Sequence, residues 1–214
     1  CGRDFLGGRS SCDACATPLT FATTLPILSY VWFRGRCAAC GGRIDPAHPI
    51  GELTGAMVVS LSVVFASPLS AALLSMTGIV LLASAVVDSK TQRLPDVLTA
   101  LVAGLGALLA LTRDLDALVL GILVAITSVA LVQGLRIWAA RSGRDPGLGF
   151  GDVKLIAALA IWLGPLTPIA VAVAAVAGLV GMVIVRPTDG RLPFGPFLAA
   201  AGWVAGFGHE ISAW

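Results

Sequence analysis

The chain has 214 residues, 57% of them apolar and 12% charged, and a mean hydropathy of +0.93. A water-soluble domain carries about 25% charged residues, so this chain cannot face water on all sides, and a disordered chain would lack its apolar excess. The net charge of +2, without a long basic run, argues against a nucleic-acid partner. What remains is an integral membrane protein.

The chain opens at Cys1 with no Met and no secretory n-region, h-region and cleavage site. All five cysteines and Arg3, Arg9, Arg34, Arg36 and Arg43 precede residue 50, and no cysteine follows. This shift divides the chain into a polar head, 1–49, and an apolar body, 50–214. In the head, Cys12-x-x-Cys15 and Cys37-x-x-Cys40 have the spacing of two knuckles that present four thiolates to a tetrahedral Zn²⁺. Gly35, Gly41 and Gly42 supply permissive turns around the second knuckle. A pair of disulfides is the alternative, disfavoured in a reducing compartment. Four thiolates leave no position open for water, so the expected zinc role is structural. Cys1 stands outside the pattern. The apolar segment 25–33 is too short to span a bilayer, and reads either as a small head core or as an interfacial surface.

The body contains apolar runs at 50–66, 69–87, 97–112, 116–138, 153–164, 167–185 and 192–208, bounded by Pro, Gly and charged residues. The expected fold is an all-α polytopic membrane protein of about seven transmembrane helices, with a small N-terminal zinc-binding head. The run 153–164 is short for a span. Small residues in 157–181 read as close helix packing.

Basic residues fall on alternate connections. The head, Lys90 and Arg93, then Arg136, Arg141, Arg144 and Lys154, then Arg186 and Arg191 occupy one side of the path. The loops at 67–68 and 165–166 carry none, and Arg113 is offset by Asp114 and Asp116. Positive charge marks the cytoplasmic side, which places the head inside the cell.

Acidic residues at the edge of a span are functional candidates. Asp88 follows the run 69–87 and Asp152 precedes 153–164, so the alternation brings both to the same side. Glycines at 147, 149 and 151 leave the backbone before Asp152 open to a peptide. Two carboxylates sharing a site keep one proton between them, and such a pair hydrolyses an amide by acid–base catalysis of water attack. The bland alternatives stay open. Asp88 ends a helix and pairs with Lys90 or Arg93; Asp152 is a first-turn acid of its own helix. Asp96 and Glu52 are weaker candidates. His48 and His209 form no Ser/His or Cys/His pair, and no H-E-x-x-H occurs.

The segments Cys12-x-x-Cys15, Leu25-Pro-Ile-Leu-Ser-Tyr30, Arg34-Gly-Arg-Cys37-Ala-Ala-Cys40-Gly-Gly and Pro49-Ile-Gly-Glu52-Leu-Thr-Gly55 are followed by Asp88-Ser-Lys-Thr-Gln-Arg-Leu-Pro-Asp96, Gly147-Leu-Gly-Phe-Gly-Asp152-Val-Lys154-Leu and Pro193-Phe-Gly-Pro-Phe197. In this order, over nearly the whole chain, they resemble the type IV prepilin leader peptidases, bacterial members of the GxGD class of intramembrane aspartyl proteases. The resemblance implies that Asp88 and Asp152 match the catalytic aspartates. It implies an endopeptidase of the bacterial inner membrane that removes the leader of type IV prepilins or type II secretion pseudopilins on the cytoplasmic side. Many members then methylate the new N-terminus with S-adenosylmethionine, and those with a cysteine head are generally bifunctional. No glycine-rich S-adenosylmethionine motif follows a strand, so the donor site is unassigned. Members usually carry a helix ahead of the head, and the chain is expected to be missing it. The competing functions are a transporter or channel that passes protons or cations along Asp88 and Asp152, and an inactive assembly protein.

Overall fold

The computed structural model describes residues 11–143, 149–185 and 192–212. Cys1, Gly147, Arg3, Arg9, Arg144, Arg186 and Arg191 lie outside these residues. Contacts divide the chain into two compact units, Cys1–Met57 and Val58–Trp214.

The first unit carries a short helix, α1 (Leu28–Trp32), and the start of α2 (Ala47–Phe65). Leu28, Val31 and Trp32 are exposed, so the apolar segment does not form a small core. The Ile27 amide donates to Glu52 Oε2 at 2.8 Å, which gives Glu52 a structural part in tying this segment to α2.

In the second unit α3 (Pro68–Thr91), α4 (Asp96–Arg113), α5 (Leu115–Arg141), α6 (Phe150–Leu163), α7 (Thr167–Val185) and α8 (Gly195–Ser212) follow the end of α2. These seven long helices fall on the seven apolar runs. Among the described residues five stretches are long and apolar enough to cross a membrane: α2, α3, α4, α5 and the continuous stretch Phe150–Ile184, which takes in α6 and most of α7. The expected seven crossings thus correspond to seven helices but to five stretches of spanning length and apolarity, with α8 outside the five.

Local chemistry sets the boundaries. Ser67 caps α3, its hydroxyl accepting from the Ser70 amide at 3.3 Å, and Pro68 occupies the first helical position. Asp114 caps α5 by accepting from the Ala117 amide. Gln92 closes α3 in the left-handed conformation at φ 50°. α3 therefore runs past Asp88 by almost a turn. Within α3 the Thr77 and Ser84 hydroxyls donate to the carbonyls of Leu73 and Val80, which satisfies polar groups that lipid would leave bare.

α6 is the short run, 14 residues, or about 21 Å of helix against about 30 Å of hydrocarbon. Its packing explains its composition. It lies against α4, α5 and α8, and Val153, Leu155, Ile156, Leu159, Trp162 and Leu163 are all buried. Trp162 fills a slot that exists because Gly206 on α8 has no side chain; a Cβ there would collide with the indole. α7 instead buries Thr167, Ala170 and Ala174, and exposes Ile169, Val173, Val176, Leu179, Val183 and Ile184, as a lipid-facing helix does.

At one end of this unit, α4 and α8 finish beside the end of α6. There Arg113 lies 3.6 Å from Glu210 Oε1 and its guanidinium donates to the Trp162 carbonyl. Asp114 is spent on its cap, so the partner of Arg113 comes from α8. At the other end α3 finishes and α4, α6 and α8 begin; Lys90 lies in the last turn of α3, Arg93 in the connection to α4, Lys154 in α6, and Arg136 of α5 stands by Phe150 at the start of α6.

Candidate functional site

The two cysteine knuckles have the same local build. In the first, the Cys12 amide donates to the Thr17 carbonyl at 3.0 Å and the Ala16 amide to the Cys12 carbonyl at 2.8 Å. In the second, Cys37 donates to Gly42 at 2.8 Å and Gly41 to Cys37 at 2.9 Å. Isolated bridges, Ser11 with Pro18 and Arg36 with Arg43, close both turns. This folding brings the sulfurs of Cys12, Cys15, Cys37 and Cys40 within 4.8 Å of one another, with Cys12 and Cys40 at 4.0 Å and all four thiols free.

Tetrahedral thiolates at about 2.3 Å from zinc stand about 3.8 Å apart, so the set fits a metal ion. Its electrostatics point the same way. The Thr17 hydroxyl, 3.1 Å from Cys15 Sγ, and the Thr17 amide hold the Cys15 thiol down at about 6. The amides of Cys40 and Ala39 lower Cys37. At Cys40 the Gly42 amide favours ionisation, yet the neighbouring Cys15 and Cys37 sulfurs push it up to about 11. Four clustered sulfurs resist carrying four negative charges until a cation joins them.

In the second unit Asp88 and Asp152 border one cavity of about 350 Å³, lined also by Gln92, Arg93, Leu94, Gly149, Phe150, Gly151 and Lys154. Asp88 lies in the last turn of α3 and is buried, 6% exposed. It pairs with neither Lys90 nor Arg93 in the structure: its Oδ2 accepts from the Gly195 amide at 3.0 Å. Asp152 is the third residue of α6 and its Oδ2 accepts from the Gly149 amide at 3.2 Å. It thus serves as a first-turn acid while it also faces the cavity. Gly151 lets this wall close up, since a Cβ there would stand 3.1 Å from Leu94 Cβ. Lys154 extends over the Phe150 ring, 4.8 Å from its centroid, and Arg136 lies 5.8 Å from the same ring.

Asp96, a weaker candidate, begins α4 and its Oδ1 accepts from Lys154 Nζ at 2.6 Å. The Gly195 amide and this Lys154 link escape sequence reasoning. A backbone amide has no residue signature, and the lysine's partner is distant in sequence. The segment 193–197 carries the one available signal, in its place among the motifs.

An open cavity thus holds two carboxylates from different helices, the groups that acid–base chemistry uses. Comparisons with known proteins bear on the family. Residues 2–66 match the bacterial peptidase A24 N-terminal domain and residues 75–183 the type IV leader peptidase family. The prepilin leader peptidase/N-methyltransferase of Aeromonas hydrophila is 34% identical over 96% of this chain and 74% of its own length. That of Neisseria gonorrhoeae is 32% identical over 96% and 72%. A type 4 prepilin-like proteins leader peptide-processing enzyme of Escherichia coli is 34% identical over 91% and 73%. No solved structure matches. With both parts of the chain matched in order and relatives aligned along nearly all of it, this protein belongs to the type IV leader peptidase family.

Proposed function

We propose that the chain is a membrane-embedded aspartyl endopeptidase that removes the leader of type IV prepilins or type II secretion pseudopilins on the cytoplasmic side of the bacterial inner membrane. The observation that carries this reading is the single cavity bordered by Asp88 and Asp152. One carboxylate takes a proton from water, and the water oxygen attacks the scissile carbonyl carbon. The other donates a hydrogen bond to the carbonyl oxygen, and the proton then reaches the leaving amine as the C–N bond breaks. The two acids exchange protonation states over the cycle, and water supplies all the atoms added.

The orientation rests on charge. Lys90, Arg93, Arg136 and Lys154 collect at the end that holds the aspartates, and such clusters mark the cytoplasmic side. Residues 1–49 form the cytoplasmic head, in which Cys12, Cys15, Cys37 and Cys40 hold a structural zinc; residues 50–214 form the peptidase domain. The names of the relatives support a second step, N-methylation of the new N-terminus, for which S-adenosylmethionine supplies the methyl group. The described residues contain no strand leading into a glycine-rich turn, and no residue is assigned to that donor.

The test is incubation of the purified chain with a prepilin bearing a Gly–Phe junction. Asp88→Asn and Asp152→Asn are each expected to lose cleavage by about a thousandfold or more, as groups acting as one unit do. Cleavage that persists in either variant refutes the two-aspartate mechanism. Methyl transfer that survives in both assigns it to a separate site.

A further inference from the structure

The cavity meets the Asp88 carboxylate, and a buried residue of α8 holds it. Gly195 is the first residue of α8 and its amide donates to Asp88 Oδ2 at 3.0 Å. The local sequence leaves this amide to the carboxylate. Pro196 has no N–H, and the amides of Phe197 and Leu198 both donate to the Phe194 carbonyl at 3.1 Å. Among the opening residues of α8, Gly195 thus offers its amide outward, at the end where the helix dipole favours a negative group.

Space makes the same demand. A Cβ on Gly195 would stand 2.6 Å from Asp88 Oδ2, 2.9 Å from Cγ and 3.1 Å from Cβ. Every one of these is closer than ordinary van der Waals contact, and Asp88 is a short side chain rooted in a packed helix. Any residue but glycine would have to turn the carboxylate or part α3 from α8.

We infer that Gly195 is a positioning residue of the peptidase. Its amide fixes the rotamer of Asp88, and its missing side chain leaves room for the carboxylate to stay at the cavity. It acts through Asp88 and does not touch substrate. The inference rests on the reading of Asp88 as a catalytic acid.

The experiment compares Gly195→Ala with Gly202→Ala in the full chain. Gly202 lies farther along α8, where a Cβ would press on the Leu159 side chain at 2.8 Å, so it reports the cost of disturbing the helix alone. Gly195→Ala is expected to lower kcat by about a hundredfold, the effect of misplacing a reacting group by an ångström, to leave KM within about threefold, and to displace the pH profile of kcat. Gly202→Ala is expected to lower the melting temperature and keep kcat and the profile. Wild-type kcat and profile in Gly195→Ala would overturn the inference, as would equal losses in both variants that track the folded fraction.

Isotope-edited infrared spectroscopy of the aspartate carboxylates gives an arm independent of cleavage, the Asp88 band being assigned by its loss in Asp88→Asn. The band is expected to shift in Gly195→Ala and not in Gly202→Ala. An unshifted band overturns the positioning role whatever the substrate. If the wild type fails to cleave a prepilin while the band still shifts, the functional reading fails and the positioning role stands.

Discussion

Lys154 Nζ lies 2.6 Å from Asp96 Oδ1, and this contact ties the first residue of α4 to the first turns of α6. The connection from Asp88 leads into α4, and Asp152 sits in the first turn of α6. One ion pair therefore joins α6, which carries Asp152, to the helix that follows Asp88 in the chain.

Lys154 and Asp96 are 37% and 77% exposed at their side chains, so solvent limits the pair to about 1 kcal/mol or less. Its effect belongs to geometry. Lys154→Met and Asp96→Asn are each expected to leave thermal stability nearly unchanged and to lower kcat on a prepilin by about tenfold, in line with small misplacement at a reacting centre. The reversed pair Lys154→Asp with Asp96→Lys is expected to recover part of that loss. Wild-type turnover in Lys154→Met would show that the bridge has no part in the reaction.

The opposite end of the unit gives the converse case. Glu210 is 5% exposed, pairs with Arg113 at 3.6 Å and accepts from Trp162 Nε1 at 3.3 Å. Glu210→Ala leaves the guanidinium half-buried and the indole N–H unsatisfied. Removing one partner of a buried pair costs about 3–5 kcal/mol, and Arg113, at 16% exposure, points to the lower figure. Glu210→Gln keeps an acceptor for Trp162 and should fall between. Thermal unfolding in detergent measures both, while cleavage per folded molecule is expected to stay at the wild-type value. A Glu210→Ala protein as stable as wild type would refute this account of the pair.

What the sequence revealed follows from how far each signal reaches. Helices α2 to α8 were legible because each apolar run is bounded by local breakers such as Ser67-Pro68 and Leu94-Pro95. The end of α3 was misplaced because Asp88, a charge that marks a boundary by composition, lies inside a helix that continues to Thr91. The two C-x-x-C turns were legible because each knuckle is local. Their juxtaposition could only be expected. By composition Asp114 and Asp116 offset the charge of Arg113, whereas its ion-pair partner, Glu210, is brought to it by the packing of α6 against both α4 and α8. For the segment 25–33 hydropathy left a core and an interfacial surface equally open, and the exposure of Leu28, Val31 and Trp32 decides against the core.

The four-sulfur cluster predicts a metal dependence with a defined pH trend. Purified head-bearing protein is expected to hold zinc, and Co²⁺ exchanged into the site should show the absorption of tetrahedral thiolate coordination. Cys15, held at about 6, is ionised at neutral pH, whereas Cys40, raised to about 11, is not. Binding at pH 7 must therefore release a proton from Cys40. Apparent affinity should fall as pH drops, more steeply below about 6, where protons also compete for Cys15. Calorimetry in buffers of different ionisation enthalpy counts the protons. Binding without proton release, or a cobalt spectrum lacking thiolate coordination, would exclude this site.

The two knuckles also differ at the position of their left-handed residue, which gives a test of their backbone alone. Ala16 and Gly41 each fall four residues after the first cysteine of their knuckle, and both adopt positive φ, 55° and 70°. A Cβ on Gly41 would meet nothing within 4 Å, so Gly41→Ala is expected to cost head stability the left-handed penalty, about 1–2 kcal/mol, less the roughly 0.4–1 kcal/mol by which alanine restricts the unfolded chain. Ala16→Gly should relieve a similar strain but loosen the unfolded chain by about 0.4–1 kcal/mol, for a net gain of similar size. The exchanged pair, Ala16→Gly with Gly41→Ala, should then lie close to wild type in thermal unfolding of the metal-loaded protein. Because neither change crowds a sulfur, the cobalt spectrum should be the same in all three variants. A spectral change in Gly41→Ala would mean that the glycine is required by the geometry of the sulfurs and not by its own φ.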